Sequence, residues 1–230
     1  MPPKRKPNPT GRAKKPDGQR STTFFFYLPN DKPYGVFCQW HPSPITVPTS
    51  SLHFLATSPS STELLAKYAS SITFTCAEQV HMFAKGIVFA DALSCTRILA
   101  KLGKAVTNFN EYKWTQVKSR VARVGNWYKF TNPVNKHMKE ILLRTGDREL
   151  AEAARRDRVW GIGYDEMEAE RYRERWGEKR LGKALMGVRD RVRTWQTRRE
   201  EEGEGVGVEW EWDGGDEEVE NEEMREDEEI

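Results

Sequence analysis

Charge is segregated along this chain, and that segregation limits which part of it can fold. Residues 1–20 carry seven Lys/Arg against one Asp, and residues 200–230 carry seventeen Asp/Glu against Arg225 alone. Both ends are poor in apolar side chains, so neither buries enough surface to offset the entropy of ordering. The reading is a disordered basic arm at 1–20, a single domain at 21–199 and a disordered acidic tail at 200–230. Removing the two ends leaves 29 basic and 17 acidic residues, so the overall charge of +2 conceals a domain of +12. A basic domain favours anionic ligands.

Several function classes fall away at once. No run of 18 apolar residues is present, so no membrane-spanning helix is expected. The basic start has no apolar stretch behind it, which argues against a secretory signal. Cys38, Cys76 and Cys95 are odd in number and lack CxxC spacing, as in a reduced intracellular protein, cytoplasmic or nuclear, without structural zinc. Lys4, Arg5 and Lys6 with Lys14 and Lys15 read either as a nuclear signal or nucleic-acid patch, or as a solubilising tail.

Between the ends, short strands come first and helices follow. Thr22 to Tyr27 is a β-branched and aromatic run ended by Pro29-Asn30, a buried strand. A second strand is expected near Ile45 and a third at Ile72 to Thr75, with Pro48 to Ser61 as a surface insertion rich in Ser, Thr and Pro. From Cys76 to Ala90, Val80, Phe83, Ala84 and Ile87 recur at helical spacing. Further helices are read at 91–100, stopped near Gly103, and at 112–130, weakened at Gly125. Another runs from the Asn132 cap and Pro133 to Arg144, closed by Gly146. Residues 149–153 and 158–162 look extended, 165–175 helical up to Trp176-Gly177, and the last helix starts at Leu181 with Leu185, Val188 and Val192 facing inward. Trp210 and Trp212 are the one hint of a docking motif in the acidic tail. The expected class is α+β, helix-rich, with a small sheet of short strands.

Two clusters are candidates for chemistry. Glu78 lies in the first turn of the Cys76 helix, where the positive end of the helix dipole favours a carboxylate; dipole complementation alone also accounts for it. Lys85 stands two turns further on, about 10 Å along the same face, and suits the anionic end of a ligand, or is a solvated charge. In Arg158-Val159-Trp160-Gly161-Ile162-Gly163, Gly161 and Gly163 permit close backbone approach and Trp160 offers a flat face to a heterocycle. Asp157 beside it reads as a second carboxylate or as a turn cap. Trp114 reads as core. Cys38 and Cys76 have no argued orienting partner, and His41, His53, His81 and His137 lack metal spacing.

The order of motifs resembles one family. Phe37-Cys38-Gln39-Trp40-His41-Pro42-Ser43-Pro44-Ile45, Thr75-Cys76-Ala77-Glu78-Gln79, Ala84-Lys85, Trp114, Leu142-Leu143-Arg144-Thr145-Gly146-Asp147, Leu150-Ala151-Glu152-Ala153, Asp157 to Gly163, Trp176-Gly177 and Leu181-Gly182-Lys183-Ala184-Leu185 stand as in the YbiA-like, or NADAR, family. The likeness spans residues 24–192. It implies an N-glycosidase on ribosylated compounds: ribosylamino-pyrimidine phosphates of early riboflavin synthesis, or ADP-ribose on modified targets. A nucleic acid then enters only as a modified substrate, and no metal or redox cofactor is required. The family's Glu, Trp and Asp fall on Glu78, Trp114 and Asp157. Lys179 stands where the WGxN element usually has Asn, and Gln39 where many bacterial members have Asn; both departures bear on specificity if those amides touch substrate. A non-catalytic module for ADP-ribose or NAD derivatives is the alternative, and a nucleic-acid-binding protein a third reading.

Overall fold

The aromatic run that opens the domain becomes a strand because its side chains are buried on both sides, Thr23 and Phe26 each at 3% exposure. The structure, a computed structural model, describes residues 22–100, 106–202 and 212–215. Expectations placed on the basic arm, Gly103, Trp210 and the acidic run from 216 lie outside the described residues.

The strands are β1 (Thr23–Phe26), β2 (Ile45–Pro48), β3 (Ser71–Phe74) and β4 (Glu149–Glu152). They pair as two small sheets, β1 with β4 in parallel and β2 with β3 antiparallel. The β2–β3 register sets Ile45 opposite Phe74 and Val47 opposite Ile72. These four are buried while Thr46 and Thr73 point outward, the period-2 pattern of a half-buried antiparallel pair. The helices are α1 (Pro59–Leu65), α2 (Ala77–Val88), α3 (Ala92–Ala100), α4 (Glu111–Thr115), α5 (Lys118–Thr131), α6 (Lys136–Arg144), α7 (Glu166–Ala169) and α8 (Arg180–Glu202). The molecule is thus helix-rich α+β. Among the described residues no helix is long and apolar enough to cross a membrane.

Helix α5 joins two hydrophobic clusters. Its Val121 and Val124 pack with β2, β3 and α2, while Trp127 and Phe130 pack with Phe26, Leu150 and the inner stripe of α8. That stripe is Leu181, Leu185, Val188 and Val192, all at 0–1% exposure, as the spacing predicts. Gly125 does not weaken α5. It is the contact point with α2, where an added Cβ would meet Val80 at 3.4 Å.

Five expectations are corrected. Pro48 to Ser61 is not a surface insertion: a 3₁₀ helix at Thr49–Leu55 buries Thr49, Ser51, Leu52 and Leu55, and α1 follows with Ser58 and Ser61 as its capping box. Small polar residues go inside here because each finds a partner, Thr49 N–H on Ser70 O at 2.8 Å and Ser51 Oγ with Tyr128 OH at 2.7 Å. The helix read at 112–130 is two, broken where Val117 leaves helical geometry at φ −125°, ψ −14°. Residues 158–162 are not a strand, for reasons given with the site. The helix read at 165–175 is the single turn of α7 followed by a 3₁₀ stretch with a non-helical Tyr172. Last, α8 runs past residue 199 to Glu202, and Trp212–Gly215 packs back on the domain. Trp212 is 3% exposed, its ring 5.6 Å from that of Trp127, and Arg120 Nε donates to Asp213 O at 2.9 Å. The docking suggested by Trp212 is onto this chain itself.

Candidate active site

The first turn of α2 is held from three sides. Cys76 is fully extended (φ −163°, ψ 164°) and passes the chain from β3 into the helix. Gln79 closes that corner, its Oε1 accepting from Thr75 N–H at 2.7 Å and its Nε2 donating to Ile98 O at 2.6 Å. Across it lies the Cys38–Ser43 segment, where Glu78 N–H donates to Gln39 O at 3.0 Å and Ser43 N–H to Thr75 O at 2.7 Å. Beneath that segment Lys129 of α5, at 0% exposure, donates Nζ to Cys38 O at 3.0 Å. Burial lowers its pKa to about 8.

This frame leaves the Glu78 carboxyl mostly buried and without a hydrogen bond or ion pair among the described residues. Loss of water pushes its pKa up to about 7, against the pull of the Lys85 ammonium. One turn on, His81 stands between two indoles, its ring edge-on to Trp114 at 4.8 Å and to Trp160 at 4.9 Å. It is 5% exposed, its Nδ1 has no partner among the described residues, and burial lowers its pKa to about 3, so it is neutral. Lys85 lies with Nζ 4.8 Å from the Trp114 ring centroid and 4.9 Å from that of Phe109, a cation–π pair. Burial lowers its pKa, with Glu78 and Glu111 opposing.

Trp160 reaches this wall from the loop after β4. Asp157 Oδ1 accepts from Val159 N–H at 2.9 Å and from Trp160 N–H at 2.8 Å, which bends 158–162 into a turn. At the start of the same loop stands Glu152, whose carboxyl is raised to about 7 by burial, with Asp157 and Glu78 adding to it.

The NADAR domain family matches residues 25–193, which takes in every residue of this site. The chain belongs to the NADAR domain family. An N-glycosidase of Acanthamoeba polyphaga mimivirus is 30% identical over 172 residues, covering 72% of this chain and 94% of the viral protein. An N-glycosidase of Nostoc punctiforme is 33% identical over 94 residues, covering 41% of this chain and 53% of its own length. A Caenorhabditis elegans protein, irg-1, is 31% identical over 137 residues, with 54% and 64% covered. The NMR structure of Escherichia coli YbiA overlaps with a TM-score of 0.46 at 21% identity, over 78% of this chain and 90% of that one.

Within the NADAR domain, the fold brings Glu78, Lys85, Trp114 and Trp160 together. Other candidate residues serve the frame. Gln39 contributes its carbonyl to Glu78 N–H, and Asp157 ties down the Trp160 turn, as the cap reading has it. Gly161 is small because an added Cβ would lie 2.9 Å from Glu152 O, and Gly163 because the turn requires φ +79°. Lys179 takes φ 48°, a conformation that Asn tolerates better than most residues, and its ammonium pairs with Glu149. That departure therefore sits on the β4–α8 junction. Sequence reasoning passed over His81 and Glu152. The signal for His81 is its i+3 spacing from Glu78; Glu152 has none, since its burial comes from elements distant in sequence.

Burial raises the pKa of both Cys38 and Cys76, so neither presents a ready thiolate. Among the described residues no three His, Cys, Asp or Glu stand together as metal ligands. A separate groove of about 880 Å³ follows β1 past Lys32, Arg148 and Asp165, and two of its charges are already engaged. Arg148 lies over Phe24, and Asp165 caps α7 and pairs with Arg155.

Proposed function

We propose that this NADAR domain is an N-glycosidase that hydrolyses the C–N bond of a phosphorylated riboside, of ribosylamino-pyrimidine phosphate type, or of an ADP-ribosyl adduct. The observation that carries this reading is the Glu78 carboxyl, mostly buried, unpaired, and one helical turn from an aromatic wall backed by a cation. Two of the relatives bear the name N-glycosidase, and the larger match covers most of the domain.

The chemistry follows from charge. As the C–N bond breaks, its electron pair stays on nitrogen and the ribose becomes an oxocarbenium-like centre. A carboxylate set in a water-poor site stabilises that centre more strongly than one in bulk water. The same oxygen pair accepts a proton from the water that adds to the sugar carbon. Trp160 supports the departing heterocycle, Trp114 fixes Lys85, and the Lys85 ammonium meets phosphate. Because the reactive form of Glu78 is ionised and its pKa lies near 7, turnover is lost as pH falls below neutrality.

The test uses Glu78→Gln, which keeps size and hydrogen bonding but removes charge. Wild type and variant are incubated with ribosylamino-pyrimidine 5′-phosphate, NAD, ADP-ribose and ADP-ribosylated DNA, and free base and the ribose product are measured. Loss of one preorganised electrostatic group lowers the rate by about 10² to 10³. Near-wild-type turnover in the variant sinks the assignment. Binding without turnover in the wild type returns the ADP-ribose-binding module.

A further inference from the structure

Strand β4 carries two glutamates with opposite circumstances. Alternation along a strand puts Glu149 on one face and Leu150 with Glu152 on the other. Glu149 is saturated: Thr23 Oγ1 donates to it at 3.0 Å, Arg173 and Lys179 pair with it, and these partners hold its pKa below the ordinary range. Both faces of β4 are covered, Leu150 and Ala151 each at 0% exposure, and Glu152 at the strand's end is half-buried. Among the described residues its carboxylate has no hydrogen bond and no ion pair. The buried cation beside the site, Lys129, is directed at the Cys38 carbonyl.

Its surroundings place it with Glu78. The Cys38 thiol feels the charge of both carboxylates and of Lys129, so the three groups converge around that residue. The Glu152 carbonyl accepts from Ile162 N–H at 3.0 Å, which hangs the Trp160 loop directly on it. Trp160 in turn lies against His81, whose buried Nδ1 is unpartnered. The charged and titratable groups facing the pair are Asp157 from the loop, Lys85 and His81 from α2, Lys129 from α5, and the Cys38 and Cys76 thiols. A half-buried carboxylate with no donor is costly to the fold, and a structural role at this position would be met by an amide or an aliphatic residue.

We propose that Glu152 is a second catalytic carboxyl group and that it delivers its proton to the departing nitrogen. The inference rests on the N-glycosidase reading and assigns the acid that reading leaves open. The C–N bond breaks with its pair on nitrogen, and the Glu152 O–H proton follows to that nitrogen. Water adds its oxygen to the sugar carbon and gives a proton to Glu78. Glu152 ends as carboxylate and Glu78 as acid, and proton exchange through solvent restores the pair.

The experiment compares wild type, Glu152→Gln and Glu152→Asp on two probes. Ribosylamino-pyrimidine 5′-phosphate has a leaving amine that needs a proton; nicotinamide mononucleotide has a pyridinium that departs neutral. Glu152→Gln is expected to lose about 10² to 10⁴ in kcat/KM on the first and under tenfold on the second. The alkaline limb of the pH profile on the first probe disappears in Glu152→Gln and returns in Glu152→Asp. Unchanged turnover, equal loss on both probes, or an alkaline limb that survives in Glu152→Gln overturns the proposal while leaving Glu78 in place. If wild type cleaves only the amine probe, the alkaline limb alone decides. A wild-type protein inactive on both overturns the N-glycosidase reading, and this inference with it.

Discussion

Glu78 and Glu152 are held with pKa values near 7, above the value each has in an unfolded chain. The folded state therefore binds more protons than the unfolded state between about pH 4.5 and 7, and stability falls as pH rises through that window by up to about 1.4 kcal/mol per pH unit for each group. Removing the charge removes the penalty. Glu78→Gln and Glu152→Gln are expected to melt higher than wild type at pH 8 and close to it at pH 5, measured by thermal unfolding at the two pH values. A Tm lower than wild type at pH 8 would mean that the ionised carboxylates are stabilised by contacts in the folded chain. In the proposed function Lys85 meets the other, anionic end of the ligand. Replacing it by Met is expected to raise KM more than it lowers kcat, since a charge remote from the breaking bond binds ground and transition states alike. An unchanged KM at low salt takes Lys85 out of the site.

At the scale of elements, the loop after β4 is the part whose role changed most between sequence and structure. Asp157 invited a catalytic reading, and its Oδ1 is instead committed to two backbone N–H groups. If the residue works by holding Trp160, Asp157→Asn keeps the accepting oxygen and most of the turnover. Asp157→Ala loses both, with a stability cost of about 0.5–2 kcal/mol typical of a lost side-chain cap. Steady-state kinetics with melts on the two variants separate the cases: an Asn variant that melts normally yet is as inactive as Ala returns Asp157 to direct chemistry. The α2–α5 contact shows a related shift. Gly125 lowers helix propensity, but in the packed molecule its missing side chain brings α5 onto Val80 and so brings Lys129 beneath the Cys38–Ser43 segment.

At the scale of the whole molecule, residues 212–215 add a packing contact to the domain. Trp212 fills a site against Trp127 and lies outside the family-matched residues 25–193. Trp212→Ala is expected to cost about 3–5 kcal/mol, as for other buried Trp truncations, with turnover per folded molecule unchanged. A chain of residues 22–215 is expected to keep wild-type turnover and Tm, whereas one ending at 199 melts lower because the Trp127 face is bared. Calorimetry and a turnover assay on the same preparations check this. Lost turnover in the 22–215 chain would make the arm or the distal tail part of the catalytic unit.

What the sequence determined by itself was whatever depends on neighbours along the chain. Helical spacing set the α2 and α8 stripes, Asn132-Pro133 opened the 3₁₀ turn that leads into α6, Gly146 followed its end, and ordered motifs marked the family and pointed to Glu78, Lys85 and Trp114. The tertiary structure decided which polar groups would be stripped of water and which would find partners. Glu149 and Glu152 are three residues apart on one strand, and nothing local tells them apart. One meets Arg173 and Lys179; the other, half-buried, finds no partner among the described residues, because the segments that pack around β4, β1 and α8 foremost, assign charge to one end of the strand and not to the other. Desolvation and pairing energies act through space, so a carboxyl raised toward neutrality, an orphaned His81 and a tail tryptophan seated on its own domain become visible only when distant segments are brought together.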